Sequence, residues 1–95
     1  MDEPGSAELK EKFQRRLDQI TSRLAAALKD LPAQADEKCA VERRRIHRAL
    51  SSIEKYWNTP VNPSWRNLVD YECSAAEAAI TALERRIKEL VANSG

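Results

Sequence analysis

Apolar residues recur along the chain with the spacing of helix faces rather than of strands. In residues 6–31 they follow one another in steps of three and four, at Leu9, Phe13, Leu17, Ile20, Leu24, Leu28 and Leu31. This period places them on one face of an α-helix. Ser6 stands where an N-cap is expected. Pro32 ends the stretch, because proline removes an amide donor and disfavours helical geometry in the residue before it.

Two further helices are predicted, over residues 34–58 and 63–92. The first of these has its apolar stripe at Cys39, Ile46, Leu50, Ile53 and Trp57, and the other at Trp65, Val69, Cys73, Ala76, Ile80, Leu83, Ile87 and Leu90. The second stripe alternates steps of four and three, as in a heptad repeat. Between the two helices, Asn62 followed by Pro63 is a start signal, with Asn as N-cap and Pro at the first helical position.

These patterns predict an all-α fold. A three-helix up-down-up bundle and an elongated helical hairpin with an extra helix both fit them. The chain has 95 residues, which suits one helical domain over residues 6–95, with residues 1–5 as a flexible N-terminus. Its two glycines, Gly5 and Gly95, stand at the ends, which argues against a turn-rich β fold and excludes a glycine-rich phosphate loop.

Charge composition bears on the partner and the compartment. Sixteen basic and fifteen acidic residues give a net charge of +1, whereas dedicated nucleic-acid binders carry a pronounced positive excess. We therefore expect nucleic acid to be an improbable partner. No stretch approaches the ~20 apolar residues of a membrane span. The start of the chain lacks the basic and apolar regions of a secretory signal, so we expect a cytoplasmic protein without a membrane partner.

Catalytic and metal-binding patterns are weak. His47 has no Cys, Asp or Glu three or four residues away, so a metal site with converging ligands is not indicated. Antiparallel second and third helices would place Cys73 opposite His47 or Arg48 and Cys39 ~13 Å further along, too far for a disulfide. We expect two free thiols. A Cys73–His47 catalytic pair stays open by position alone, but we expect no enzyme, cofactor, metal or small-molecule substrate.

The third helix carries the main candidate for partner binding. Alanines flank its apolar stripe, so that roughly half of its circumference is non-polar. Either the neighbouring helices of the same chain cover this flank, or it docks an outside helix or a second copy of the chain. Tyr71 lies off the stripe near a cluster of aromatic residues and suits an interface anchor. The predicted partner-binding residues are Tyr71, Ala75, Ala78, Ala79, Ile80 and Ala82.

A basic run in the second helix supplies an alternative. It contains Arg43, Arg44, Arg45 and Arg48. Arg44 and Arg48 are one helical turn apart and could bind one phosphate or carboxylate pair. A solvated helix face, contact with nucleic acid and contact with an acidic protein are all compatible with the run. Phosphate binding by these four arginines is the alternative to a protein interface.

The segment from Ala49 through the proline turn to Ile80 resembles the small helical-hairpin co-chaperones of type III secretion needle subunits. The similarity rests on two amphipathic helices across a short turn and on the pattern Glu72-x-x-Ala75-x-Glu77-x-Ala79-Ile80. It covers about a third of the chain, which departs from the pattern by its extra helix over residues 6–31. The resemblance implies that the protein holds a filament subunit soluble in the bacterial cytosol, with Ala75, Ala79 and Ile80 in contact with the partner.

We therefore expect a non-enzymatic helical protein–protein interaction module of the chaperone, adaptor or assembly type. It would bury a partner helix, or its own copy in a homo-oligomer, along the third helix. A small helical protein associated with nucleic acid through residues 43–48 is the alternative.

Overall fold

The computed structural model describes residues 5–94, and the side chains of Gln34 and Ser94 lie outside the description. Helix α1 spans Ser6–Asp30, a 3₁₀ helix spans Ala33–Cys39, α2 spans Ala40–Trp57 and α3 spans Pro63–Ser94. No strand occurs over these residues, so the all-α prediction is confirmed. The predicted flexible N-terminus falls mainly on residues 1–4, which lie outside the described residues.

Both ends of α1 follow from local backbone chemistry. Gly5 precedes the helix in the left-handed region, at φ 81°, and its carbonyl accepts a hydrogen bond from the Leu9 amide at 3.0 Å. The prediction of Ser6 as N-cap was wrong, because Ser6 is the first helical residue and Gly5 supplies the turn into the helix. At the other end, Leu31 is extended ahead of Pro32, as the proline rule requires.

The second predicted helix is divided into two parts. Residues Ala33–Cys39 form the 3₁₀ helix, and α-helical geometry begins only at Ala40. Among the side chains of this segment that the structure describes, only Ala35 and Cys39 are buried, whereas the polar residues Asp36, Glu37 and Lys38 are exposed. With so few apolar side chains, the segment has little α-helical stripe to bury against its neighbours.

The turn before α3 confirms the predicted start signal. The Asn62 side-chain oxygen accepts a hydrogen bond from the Trp65 amide at 2.8 Å, and Pro63 is the first helical residue. The Trp65 indole N–H then donates to the Tyr56 carbonyl at 2.6 Å, which ties α3 to the end of α2. Trp65 also packs edge-on against Phe13, with ring centroids 5.7 Å apart. This aromatic group closes one end of the bundle.

Helix α3 is the central element. It packs against both α1 and α2, whereas no pair of Cα atoms from α1 and α2 lies within 8 Å. Ion pairs of Arg16 with Glu77 and of Arg23 with Glu84 show that α1 and α3 run parallel. The pair of Glu42 with Arg86 and the bond of Tyr56 with Trp65 show that α2 runs antiparallel to α3. The chain is thus an up-down-up bundle, 55 × 18 × 15 Å in extent.

One apolar core joins the three helices, and much of it follows the predicted stripes. In α1, however, Ala27 is buried while Leu28 is only partly covered. Cys39 and Cys73 are both buried and free, as expected. The core comprises Phe13, Ile20, Ala27, Cys39, Ile46, Ala49, Ile53, Val61, Trp65, Val69, Cys73, Ala76, Ala79, Ile80, Leu83 and Ile87.

Candidate functional site

The predicted partner-binding residues of α3 divide between its inner and outer faces. Ile80 is fully buried and Ala79 is 7% exposed, so these two side chains belong to the core and offer no surface to a second helix. They lie there because α1 and α2 cover the face of α3 that carries Val69, Ala76 and Leu83. Ala75, Ala78 and Ala82 are exposed instead, and Tyr71 is 69% exposed.

The exposed residues form a stripe of their own, which we call the outer stripe. It consists of Leu68, Tyr71, Ala75, Ala78 and Ala82. Successive members are three or four residues apart, so they lie on one face of α3, turned away from the core. Leu68 is 42% exposed and was missed by the sequence analysis. Its position three residues before Tyr71 was the signal that could have identified it.

Ion pairs connect the neighbouring edges of α3 and α1. Arg16 donates to Glu77 at 2.7 Å and to Asp70 at 2.7 Å, and Arg23 donates to Glu84 at 2.6 Å. The hydrogen bond that Arg16 donates to Glu77 raises the pKa of Arg16 above its ordinary value, and the hydrogen bond from Arg23 lowers the pKa of Glu84. These three carboxylates are therefore already paired with arginines of α1. Glu77 and Glu84 are seven residues apart along α3.

The boundary between α3 and α2 is a close helix contact. Ala49 and Ala79 are both buried, and small side chains let two helix backbones approach closely. At one end of this contact Arg86 forms an ion pair with Glu42, with Nε and Oε1 3.2 Å apart. Glu42, Ala49 and the Tyr56 carbonyl thus mark the edge of α2 that faces α3.

The basic run is split by the fold. Arg43 is half-buried and pairs with Asp36 of the 3₁₀ helix, so its predicted role in phosphate binding does not fit its position. Arg44, Arg45 and Arg48 are exposed, and none of them forms an ion pair within residues 5–94. Lys55, in the last turn of α2, shares both properties. We call Arg44, Arg45, Arg48 and Lys55 the cationic face of α2.

A groove of about 480 Å³ lies where α1 and α2 diverge. Leu17, Leu50, Ile53 and Trp57 form its apolar lining, and the carboxylates Asp18 and Glu54 stand on the two helices that border it. At its end the Lys10 ammonium donates to the Trp57 carbonyl at 3.2 Å. The sequence pattern did not predict this groove, because periodicity does not show where two helices diverge.

The side chains considered for catalysis lie in different environments. Cys73 is completely buried, and burial raises the pKa of its thiol to about 11, which keeps it protonated and unreactive near neutral pH. His47 is exposed on α2. Over the described part of the chain, no three His, Cys, Asp or Glu residues are grouped as metal ligands would be. The inertness of the Cys73 thiol argues against the Cys–His pair that the sequence left open.

Within residues 5–94, no helix has the length and apolar character needed to cross a bilayer. Comparison with family models, with curated protein sequences and with solved structures finds no significant match. The similarity of residues 49–80 to needle-subunit co-chaperones therefore stays a prediction from the sequence.

Proposed function

We propose that the protein is a non-enzymatic helical protein–protein interaction module that binds one helix of a partner along the outer stripe of α3. In this adaptor, chaperone or assembly role, the partner helix becomes a fourth helix of the bundle. The observation that carries it is an apolar stripe of heptad-like spacing that the chain itself leaves exposed.

The dimensions and composition of the outer stripe suit a docked helix. Leu68 and Ala82 are 14 residues apart, which corresponds to ~21 Å at 1.5 Å per residue, or about four helical turns. The three alanines allow a second helix to approach closely, while Tyr71 and Leu68 supply larger contact area at one end. Such a surface fits the recognition mode in which an amphipathic helix lays its apolar face on a complementary one.

The resemblance to needle-subunit co-chaperones points to the same type of activity. Of the three residues to which it assigned partner contact, Ala75 remains exposed in the fold, whereas Ala79 and Ile80 are in the core. Tyr71, Ala78 and Ala82 therefore become the main test positions. The identity of the partner as a filament subunit follows from the resemblance alone.

A role in nucleic-acid association remains the second candidate. The observation that favours it is the unpaired cationic face of α2. Arg43 does not belong to this face, because it pairs with Asp36. Binding to phosphates must weaken steeply between ~50 and ~200 mM salt, because counterions are released, whereas helix packing responds little. A salt titration of the complex therefore separates the two functions.

The proposed function is tested by comparing two exposed alanines. Ala78→Glu places a charge in the outer stripe, and Ala25→Glu places the same charge on the exposed surface of α1. We expect the tagged wild-type protein and Ala25→Glu to retain the same partner from extracts of the native cells, and Ala78→Glu to lose it. Circular dichroism should be the same for all three. Retention of the partner by Ala78→Glu at wild-type level would contradict docking on this stripe.

A further inference from the structure

The cationic face of α2 borders the outer stripe of α3. The edge of α2 that faces α3 is marked by Glu42, which pairs with Arg86, and by the buried Ala49. Arg45 follows Glu42 by three residues, and a step of three turns the side chain ~60° around the helix. Arg45 therefore lies just outside the α2–α3 contact, and Arg48 lies one further step outward.

The antiparallel register sets the level of these arginines along α3. Two contacts bracket it, namely the ion pair of Glu42 with Arg86 at 3.2 Å and the hydrogen bond from the Trp65 indole to the Tyr56 carbonyl at 2.6 Å. Counted from either contact with the same rise along both helices, Arg45 and Arg48 lie level with residues 73–83 of α3, beside Ala75, Ala78 and Ala82 of the outer stripe. A helix docked on the outer stripe would thus have both guanidinium groups along one of its flanks.

No ion pair within the described residues neutralises the arginines of this flank. Of the two acidic residues of α2, Glu42 is paired with Arg86, and Glu54 lines the groove on the α1 side. Arg44, Arg45, Arg48 and Lys55 form no ion pair within residues 5–94. Four exposed cations on one side of an apolar stripe constitute a charge pattern that a partner can match.

We propose that the occupant of the outer stripe is an amphipathic helix of another protein that carries carboxylates along the flank facing Arg45 and Arg48. This inference rests on the proposed function and adds the chemistry of the partner to it. The carboxylates would form exposed ion pairs with the two arginines, which contribute modest affinity but select the partner and its orientation.

The chain's own charges disfavour a second copy as the occupant. Asp70, Glu77 and Glu84, which border α3 on the α1 side, are already paired with Arg16 or Arg23. The carboxylates on that border of a second copy are therefore not free to pair with Arg45 and Arg48. In an antiparallel pair centred on Ala78, Arg45 and Arg48 of the two copies would also face each other, which is unfavourable.

The groove between α1 and α2 is a second apolar surface that a helix could occupy, and its charge has the opposite sign. Asp18 and Glu54 stand on its two sides. An acidic helix would be repelled there and attracted to the cationic face, so the charge pattern assigns it to the α2–α3 side of the bundle.

A displayed peptide library tests the inference. The library contains helices of roughly 18 residues, matched to the length of the stripe, with Leu, Ala, Ile or Phe on the docking face and Glu, Gln or Lys at the flanking positions. The full-length wild-type protein, the double variant Arg45→Glu/Arg48→Glu and the control Lys12→Glu are used as bait in ~150 mM salt. Lys12 is an exposed cation on α1, so it controls for reversal of a surface charge outside α2.

We expect peptides selected by wild-type protein and by Lys12→Glu to be enriched about tenfold in Glu over Lys on one flank. The double variant should reverse this preference.

Selection of binders with no flank preference would overturn the acidic partner and leave the docking function intact. If the selected peptides bind Ala78→Glu as well as wild type, the docking function fails, and the acidic partner fails with it. A third outcome is that no selected peptide depends on the outer stripe, while wild-type protein binds a ~20-base-pair DNA duplex and Arg45→Glu/Arg48→Glu does not. That result would support the nucleic-acid role instead.

Discussion

Ala78 and Ala79 show that adjacent positions on α3 can differ between surface and core. They are neighbours of the same type, yet Ala79 is 7% exposed inside the α2–α3 contact and Ala78 is on the outer stripe. Each residue of an α-helix is turned ~100° from the one before it, which is enough to move a side chain from core to surface. From the sequence both alanines belonged to one flank, because the direction from which α2 packs was unknown.

This difference predicts opposite effects on stability. Ala79→Glu forces a charged side chain into a packed contact, which should lower the free energy of unfolding by about 3 kcal/mol or more. Ala78→Glu should change it by less than ~0.5 kcal/mol, as surface substitutions usually do. Urea denaturation followed by circular dichroism measures both. Equal stability of the two variants would mean that the packing of α2 on α3 is wrongly placed.

The Arg23–Glu84 pair predicts a dependence of stability on pH. The hydrogen bond from Arg23 lowers the pKa of Glu84 in the folded protein below its ordinary value of 4.5. The pair therefore stabilises the fold above that value, and its contribution is lost as the pH falls through the lower folded pKa. Both side chains are 39% exposed, so the contribution is only ~0.2–1 kcal/mol.

Glu84→Gln should accordingly be less stable than wild type at pH 7, and the two should converge as the pH falls to ~2.5. Urea denaturation at a series of pH values measures the difference. Glu89→Gln is the matched control, because Glu89 is exposed and forms no ion pair within the described residues. A Glu84→Gln difference that stays constant with pH would contradict the role of this pair.

Among the elements, helix starts and stops were predictable where the sequence contains strong local chemistry. Asn62 and Pro63 fix the start of α3, since one supplies a side-chain acceptor and the other a preset backbone angle. The split of the second helix was not predictable in the same way. Its polar residues 36–38 favour neither geometry strongly, and the burial of Ala35 and Cys39 depends on tertiary packing.

The Asn62 cap predicts a measurable contribution to α3. Asn62→Ala removes the acceptor of the Trp65 amide and should cost about 1 kcal/mol of stability. Asn62→Asp keeps an acceptor at the same place and should cost much less. Thermal or urea unfolding of the two variants checks this. A loss of equal size in both would show that the side-chain hydrogen bond does not stabilise the start of the helix.

At the scale of the whole molecule, the central position of α3 determines which surfaces are open. Because α1 and α2 both pack on α3 and stay apart from each other, the bundle has a groove on one side and the outer stripe on another. The sequence predicted three helices from periodicity and the proline turns, and it left an up-down-up bundle and an elongated hairpin with an extra helix as alternatives. It could not predict which alanines would remain exposed, because that depends on how the helices are rotated about their axes.

Site-specific photo-crosslinking tests the central claim most directly. A benzophenone-bearing residue is placed at Ala78 or Tyr71 in the outer stripe, and at the exposed Ala25 of α1 as the control, in protein expressed in its native cells. We predict one discrete adduct of the same partner from both stripe positions and none from position 25. Adducts from position 25 alone, or equal adducts from all three positions, would contradict a docking surface on α3.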